Sequence, residues 1–231
     1  MPLGLARVGF TGGGAFSPVV ATGGTTSTYT DGGVEYKSHT FTGGGTFSVS
    51  DTGSEGEVQF MALAGGASGG GGGGGGSDGG GGGGAGGMLV ETLTLSATGS
   101  YSISVGGGGA RTRWRSDYGS DGSDSTISNP SSTVIARAYG GGGGGNSSET
   151  AGNGMYGGGR GSGTTPTQPY NVMSYGQEPV GNGAGSTHQN AIVGTGAGGG
   201  AGSYHNAPNY GHPAIGGNGA PGRIMIRWRL T

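Results

Sequence analysis

The sequence predicts a mainly irregular, all-β protein: short β-strands bracketing a bundle, or sandwich, of polyglycine II helices, with essentially no α-helix. Three observations carry this reading. Glycine supplies 67 of the 231 residues, where an ordinary protein has about 7%. It is gathered into runs at 65–87, 140–145 and 194–202. Short segments with period-two alternation flank those runs and close the chain.

Residues 1–33 are polar and glycine-rich, with isolated apolar spots at Val8, Phe10, Phe16, Val19 and Val20. They read as an N-terminal arm or small attachment element, and 34–231 as one glycine-rich domain. VEYKSHTF (34–41) and GTFSVS (45–50) alternate as half-buried strands, with glycines 43–45 at the turn. EVQFMALA (57–64) is more continuously apolar, as a strand covered on both faces would be. MLVETLTL (88–95), the turn ATGS and YSISV (101–105) read as a strand, a turn and a partner strand. In the closing GRIMIRWRLT, Ile224, Ile226 and Trp228 share one face and Arg223, Arg227 and Arg229 the other.

Each flank of a glycine run offers only a few strands, too few to fold alone, so a flexible linker between two folded units does not fit. Glycine costs about 1 kcal/mol per position in a helix, and no 3.6-residue stripe runs between 65 and 222. Polyglycine II remains: three residues per turn, about 3.1 Å rise, and N–H and C=O groups that need outside partners. Neighbouring glycine helices supply them, and the missing Cβ allows close approach.

Composition excludes several classes. The hydrophobic fraction is 29%, too little for a conventional core. The net charge is −2, with nine arginines and the single Lys37, so the chain as a whole is no match for nucleic acid. Cysteine is absent, which removes disulfides and thiolate metal sites. The start, MPLGLARVGF, lacks a signal peptide's apolar run, and no stretch of about 18 apolar residues could insert in a membrane.

No catalytic constellation stands out and no cofactor is implied; the expectation is a non-enzyme. His39, His188, His205 and His212 lack metal-binding spacing, and the glycine runs lack the Gly-Lys-Ser/Thr ending of a phosphate loop. Asp117, Asp121 and Asp124 in SDYGSDGSD form a weak calcium candidate, beside the plainer reading of a solvated turn. Three aromatic segments break the glycine monotony. They are 111–130, with Arg111, Arg113, Trp114, Arg115 and Tyr118; 164–180, with Tyr170, Met173 and Tyr175; and 203–215, with Tyr204, His205, Tyr210 and His212. Their Pro, Asn and Ser content reads as loop, and Tyr, Trp, Ser, Gly and Asn together are the vocabulary of binding loops. The alternative is that these aromatics cover the glycine helices in place of a core.

In order, HTFTGGGTFSVS, VQFMALAGGASGGGGGG, TGSYSISVGGGG, VIARAYGGGGGG and GNGAPGRIMIRW resemble the glycine-rich domains of bacteriophage tail proteins over about 34–231. A more specialised similarity is to the polyglycine II sandwich adhesins at the tips of long tail fibres. That resemblance implies a virion protein, made in the host cytoplasm, whose variable loops bind a bacterial outer-surface protein or glycan. It also implies attachment to other tail proteins through the N-terminal region, and possibly a homo-oligomer such as a trimer. Residues 1–33 are shorter than the fibre-binding domain of those adhesins. The alternatives are a purely structural tail component and, further off, an ice-binding polyglycine II protein.

Overall fold

In a computed structural model, residues 15–71, 80–111, 118–145 and 216–231 are described. They hold ten strands and no helix. The strands are β1 (Val20–Thr22), β2 (Thr25–Asp31), β3 (Val34–Phe41), β4 (Gly45–Asp51), β5 (Glu57–Leu63), β6 (Met88–Thr94), β7 (Gly99–Ser104), β8 (Ser125–Ser128), β9 (Val134–Ala138) and β10 (Arg223–Arg229). Two five-stranded sheets result, ordered β1-β4-β7-β8-β9 and β2-β3-β10-β5-β6. Every pairing is antiparallel.

The period-two pattern determines which side chains go inward. β10 alternates as read, with Ile224, Ile226 and Trp228 buried. They meet Phe41, Val58 and Phe60 of their own sheet and Phe47, Val49, Tyr101, Ile103 and Ile127 of the other in a single core. His39 is in that core too, fully buried and stacked on Trp228 at 5.0 Å. Its Nδ1 lies 2.5 Å from the carbonyl oxygen of Gly23. Gly23 holds φ +112°, and a Cβ there would stand 2.0 Å from Thr46 O, so only glycine fits.

Two parts of the sandwich depart from the reading of the sequence. Residues 20–31, within the expected N-terminal arm, supply β1 and β2 to the two sheets. The clue missed was the alternation in TTSTYTD, whose apolar signal is one tyrosine. Within the expected loop 111–130, STIS forms β8, with Ile127 buried against β7 and β9. Four residues with one apolar side chain give almost no periodicity.

Among the described residues, six glycine strands continue the sandwich: g1 (64–71) after β5, g2 (80–87) before β6, g3 (105–111) after β7, g4 (118–124) before β8, g5 (139–145) after β9 and g6 (216–222) before β10. Their hydrogen bonds follow a three-residue period. Along g1, the N–H groups of Ala64, Ala67 and Gly70 go to g2, at Gly87 O, Gly84 O and Gly81 O. Those of Gly65 and Ser68 go to g4, at Ser123 O and Ser120 O, and those of Gly66 and Gly69 to g6, at Ala220 O and Gly217 O. Strand g1 receives from g5 (Gly141 N to Gly65 O, Gly144 N to Ser68 O) and from g3 (Gly109 N to Gly66 O). This is the threefold, outward-facing bonding of polyglycine II, and the bundle glycines show no positive φ. Buried along its whole length, g1 is the axis of the bundle.

Candidate functional site

The strand directions give the molecule two different ends. Strands g1, g3 and g5 run away from the sandwich, and g2, g4 and g6 run back to it. At the far end the bonds Gly70 N to Gly81 O (2.9 Å), Gly81 N to Gly145 O (2.6 Å), Gly119 N to Gly144 O (2.8 Å) and Gly69 N to Gly217 O (3.0 Å) hold the strands at one level. Arg111 N donates to Asn218 Oδ1 at 2.8 Å on that level. The points where the chain leaves and rejoins the bundle, 71 and 80, 111 and 118, 145 and 216, all lie at this end.

The opposite end carries the chain's entry and exit. Ser54 N donates to Ser17 O at 3.0 Å, and the Arg229 guanidinium lies 4.4 Å from the centre of the Phe16 ring. Leu230 N donates to Glu35 O at 2.8 Å. Residue 15 and residue 231 thus approach the end of the sandwich remote from the glycine tip.

Of the expected binding residues, Arg111 and Tyr118 are described. Both stand at the glycine tip, and Tyr118 is 44% exposed. Arg113, Trp114, Arg115, Tyr170, Tyr175, Tyr204, His205, Tyr210 and His212 lie outside the described residues, as do Met173, His188 and Asp117. Asp121 and Asp124 are used in a way the sequence did not suggest. Asp121 Oδ1 accepts from Gly143 N at 2.7 Å, and Asp124 Oδ1 from Gly140 N at 2.9 Å. Three residues apart on g4, they share one side of a threefold helix and take N–H groups that g5 turns outward. Asp124 also faces Arg137 at 3.5 Å. Among the described residues, no group of three or more His, Asp or Glu side chains is placed to hold a metal ion, and no helix is long and apolar enough to cross a membrane.

A polar cluster on the outer face of the second sheet escaped the sequence reading. Arg227 donates to Gln59 Oε1 at 2.9 Å, to the Tyr29 hydroxyl at 3.0 Å and to Asp31 at 3.1 Å, and lies over the Tyr36 ring at 4.6 Å. The Tyr29 hydroxyl, foremost, and Asp31 raise the pKa of the guanidinium against the opposing effect of partial burial. Alternation along β10 put Arg227 outward; its partners come from β2 and β5, which no local pattern links to it. The cluster fastens the edge strand β2 to the sheet.

A family model described as a glycine-rich domain matches residues 42–192 of the chain. No curated protein matches it.

Proposed function

We propose, from the premise that the chain belongs to the glycine-rich domain family, that it is a bacteriophage tail component that recognises a bacterial surface. The glycine bundle is the rigid support, and the aromatic segments at its tip contact an outer-surface protein or glycan of the host. The protein is non-enzymatic and works as part of the virion, attached to other tail proteins through its N-terminal region.

One observation carries this reading: the polarity of the molecule. Every interruption of the bundle is anchored at the tip, and both chain ends of the described body point the other way. A protein docked by its N-terminal side would present all three segments outward together. Loops on a rigid scaffold are where binding residues concentrate, and aromatic side chains give contact area at small entropic cost. The density of backbone bonds around g1 makes the support stiff without a large apolar core.

The test is binding of the purified, labelled protein to a panel of candidate host bacteria, with phage as competitor. Saturable binding that blocks phage adsorption supports the reading. No binding to a host the phage infects, by protein that melts cooperatively, refutes it and favours a purely structural tail component.

A further inference from the structure

Residues 15–31 form a staple over one side of the sandwich. β1 lies on the edge of the first sheet beside β4, and β2 on the edge of the second beside β3. The chain crosses between the sheets at Gly23 and Gly24, which lie against Thr46 and Phe47 of β4 and Thr40 and Phe41 of β3. The two feet of the staple are fastened at the end remote from the glycine tip. Ser17 O, bonded to Ser54 N, holds one foot, and Tyr29 and Asp31, bonded to Arg227, hold the other. Within 15–31 only Val19 and Ala21 are buried, and β2 buries no side chain. A segment with so little buried surface opens at a lower free energy than the whole fold.

The crossing rests on His39. A carbonyl oxygen only accepts, so His39 Nδ1 carries the proton it donates to Gly23 O at 2.5 Å. Nε2 is then the bare nitrogen, buried and without a hydrogen-bond partner. The ring is fixed between the sheets, stacked on Trp228 at 5.0 Å and edge-on to Phe47 at 5.5 Å. Thr26 and Ile226 stand opposite it on the flanking strands. None of these four residues carries a charge. Tyr101, behind Phe47, gives its hydroxyl proton to Ala97 O. Among the described residues the charged side chain that acts on the ring is Lys37, two positions earlier on β3, and it repels a second positive charge. A proton added at Nε2 therefore meets neither an acceptor nor a counter-ion, and burying such a charge is costly.

We propose that His39 is the catch of an acid-opened staple: protonation at Nε2 releases the crossing at Gly23 and Gly24 and frees the apex of 15–31 from both sheet edges, while the other strands stay folded. Opening uncovers the ring on the side that Gly23 closes, so water takes up the charge that the closed core cannot. The proton comes from solvent and returns to it as the pH rises, so the staple closes again. The strands that remain keep Phe41, Phe47, Phe60, Ile224, Ile226 and Trp228 together, which confines the opening to the staple. It leaves β3 and β4 as the new edges of the two sheets. The device acts in the same way whatever the glycine tip binds.

Amide hydrogen exchange of the full chain at about pH 7.5 and about pH 5.5, corrected for the intrinsic pH dependence of exchange, tests this. With an ordinary imidazole value of about 6.5 in the open state, that step favours opening by up to roughly tenfold. The expected result is a fall of that order in the protection of 20–28, with 57–63, 99–104 and 223–229 unchanged. An equal fall in all four segments is global unfolding and overturns the proposal, as does no fall in 20–28. His39→Gln keeps a donor for Gly23 O but takes up no proton, so the fall should vanish; an undiminished fall in that variant overturns His39 as the catch. Should His39→Gln fail to fold, Lys37→Gln decides. It removes the repelling charge and should shrink the fall, and a fall equal to that of the unaltered chain overturns the proposal.

Discussion

Gly122→Ala isolates the steric demand on which the bundle rests. The added methyl would stand 2.0 Å from Gly65 O and 2.5 Å from Gly65 C, where a carbon–oxygen contact needs roughly 3.3 Å. Strands g4 and g1 must therefore separate by more than about 1 Å. Three bonds share that junction: Gly65 N to Ser123 O (3.0 Å), Gly141 N to Gly65 O (2.9 Å) and Gly122 N to Gly141 O (2.9 Å). At about 1 kcal/mol each, their loss outweighs the roughly 0.4–1 kcal/mol that alanine returns by restricting the unfolded chain. The net cost is about 2–3 kcal/mol, or roughly 4–12 °C in Tm for a chain of this size. Gly107→Ala is the internal control, because a Cβ there has nothing within 4 Å. It should leave the Tm unchanged or raise it slightly. Thermal melts followed by circular dichroism or calorimetry measure both. Equal shifts for the two variants, or no loss for Gly122→Ala, would refute the claim that close backbone packing stabilises this fold.

The remaining predictions concern charge, pH and binding. Asp121→Ala with Asp124→Ala removes the acceptors of Gly143 N and Gly140 N and should lower the Tm by several degrees, at about 1 kcal/mol per bond. The Asn variants keep an oxygen in place and should recover most of the loss. Burial lowers the His39 pKa most, Lys37 adds to this, and the hydrogen bond to Gly23 opposes it. The unfolded chain then binds the proton first, so stability should be constant well above pH 6.5 and fall as the pH drops below it. His39→Gln should flatten that slope in Tm measured against pH. Trp114→Ala with Tyr118→Ala should weaken binding to host cells at unchanged Tm; unchanged binding would count against that segment as a receptor contact. Deleting residues 1–14 should abolish virion incorporation and spare cell binding by the free protein. Deleting 1–33 should instead lower the Tm, since it removes β1 and β2.

The class of fold is legible in one dimension. Sixty-seven glycines and a small apolar supply leave backbone bonding as the main source of cohesion, and alternation fixed the inward faces of β4, β7 and β10. Those signals are local, and local patterns are legible in one dimension. The rest depends on contacts between segments that carry no mark of one another. Glycine carries no side chain to mark a direction, so nothing in the run 64–71 announces that it is the axis or which neighbour each N–H meets. Strand β1 is held by β4, some thirty residues further on, and β2 and β8 by hairpins with β3 and β9, none of the three having an apolar pattern of its own. Asp121 and Asp124 are paired with N–H groups some twenty residues away, which their loop-like spelling conceals. The tip was half legible: composition picked out the aromatic segments, and the alternating directions of six glycine strands brought their anchor points to one end.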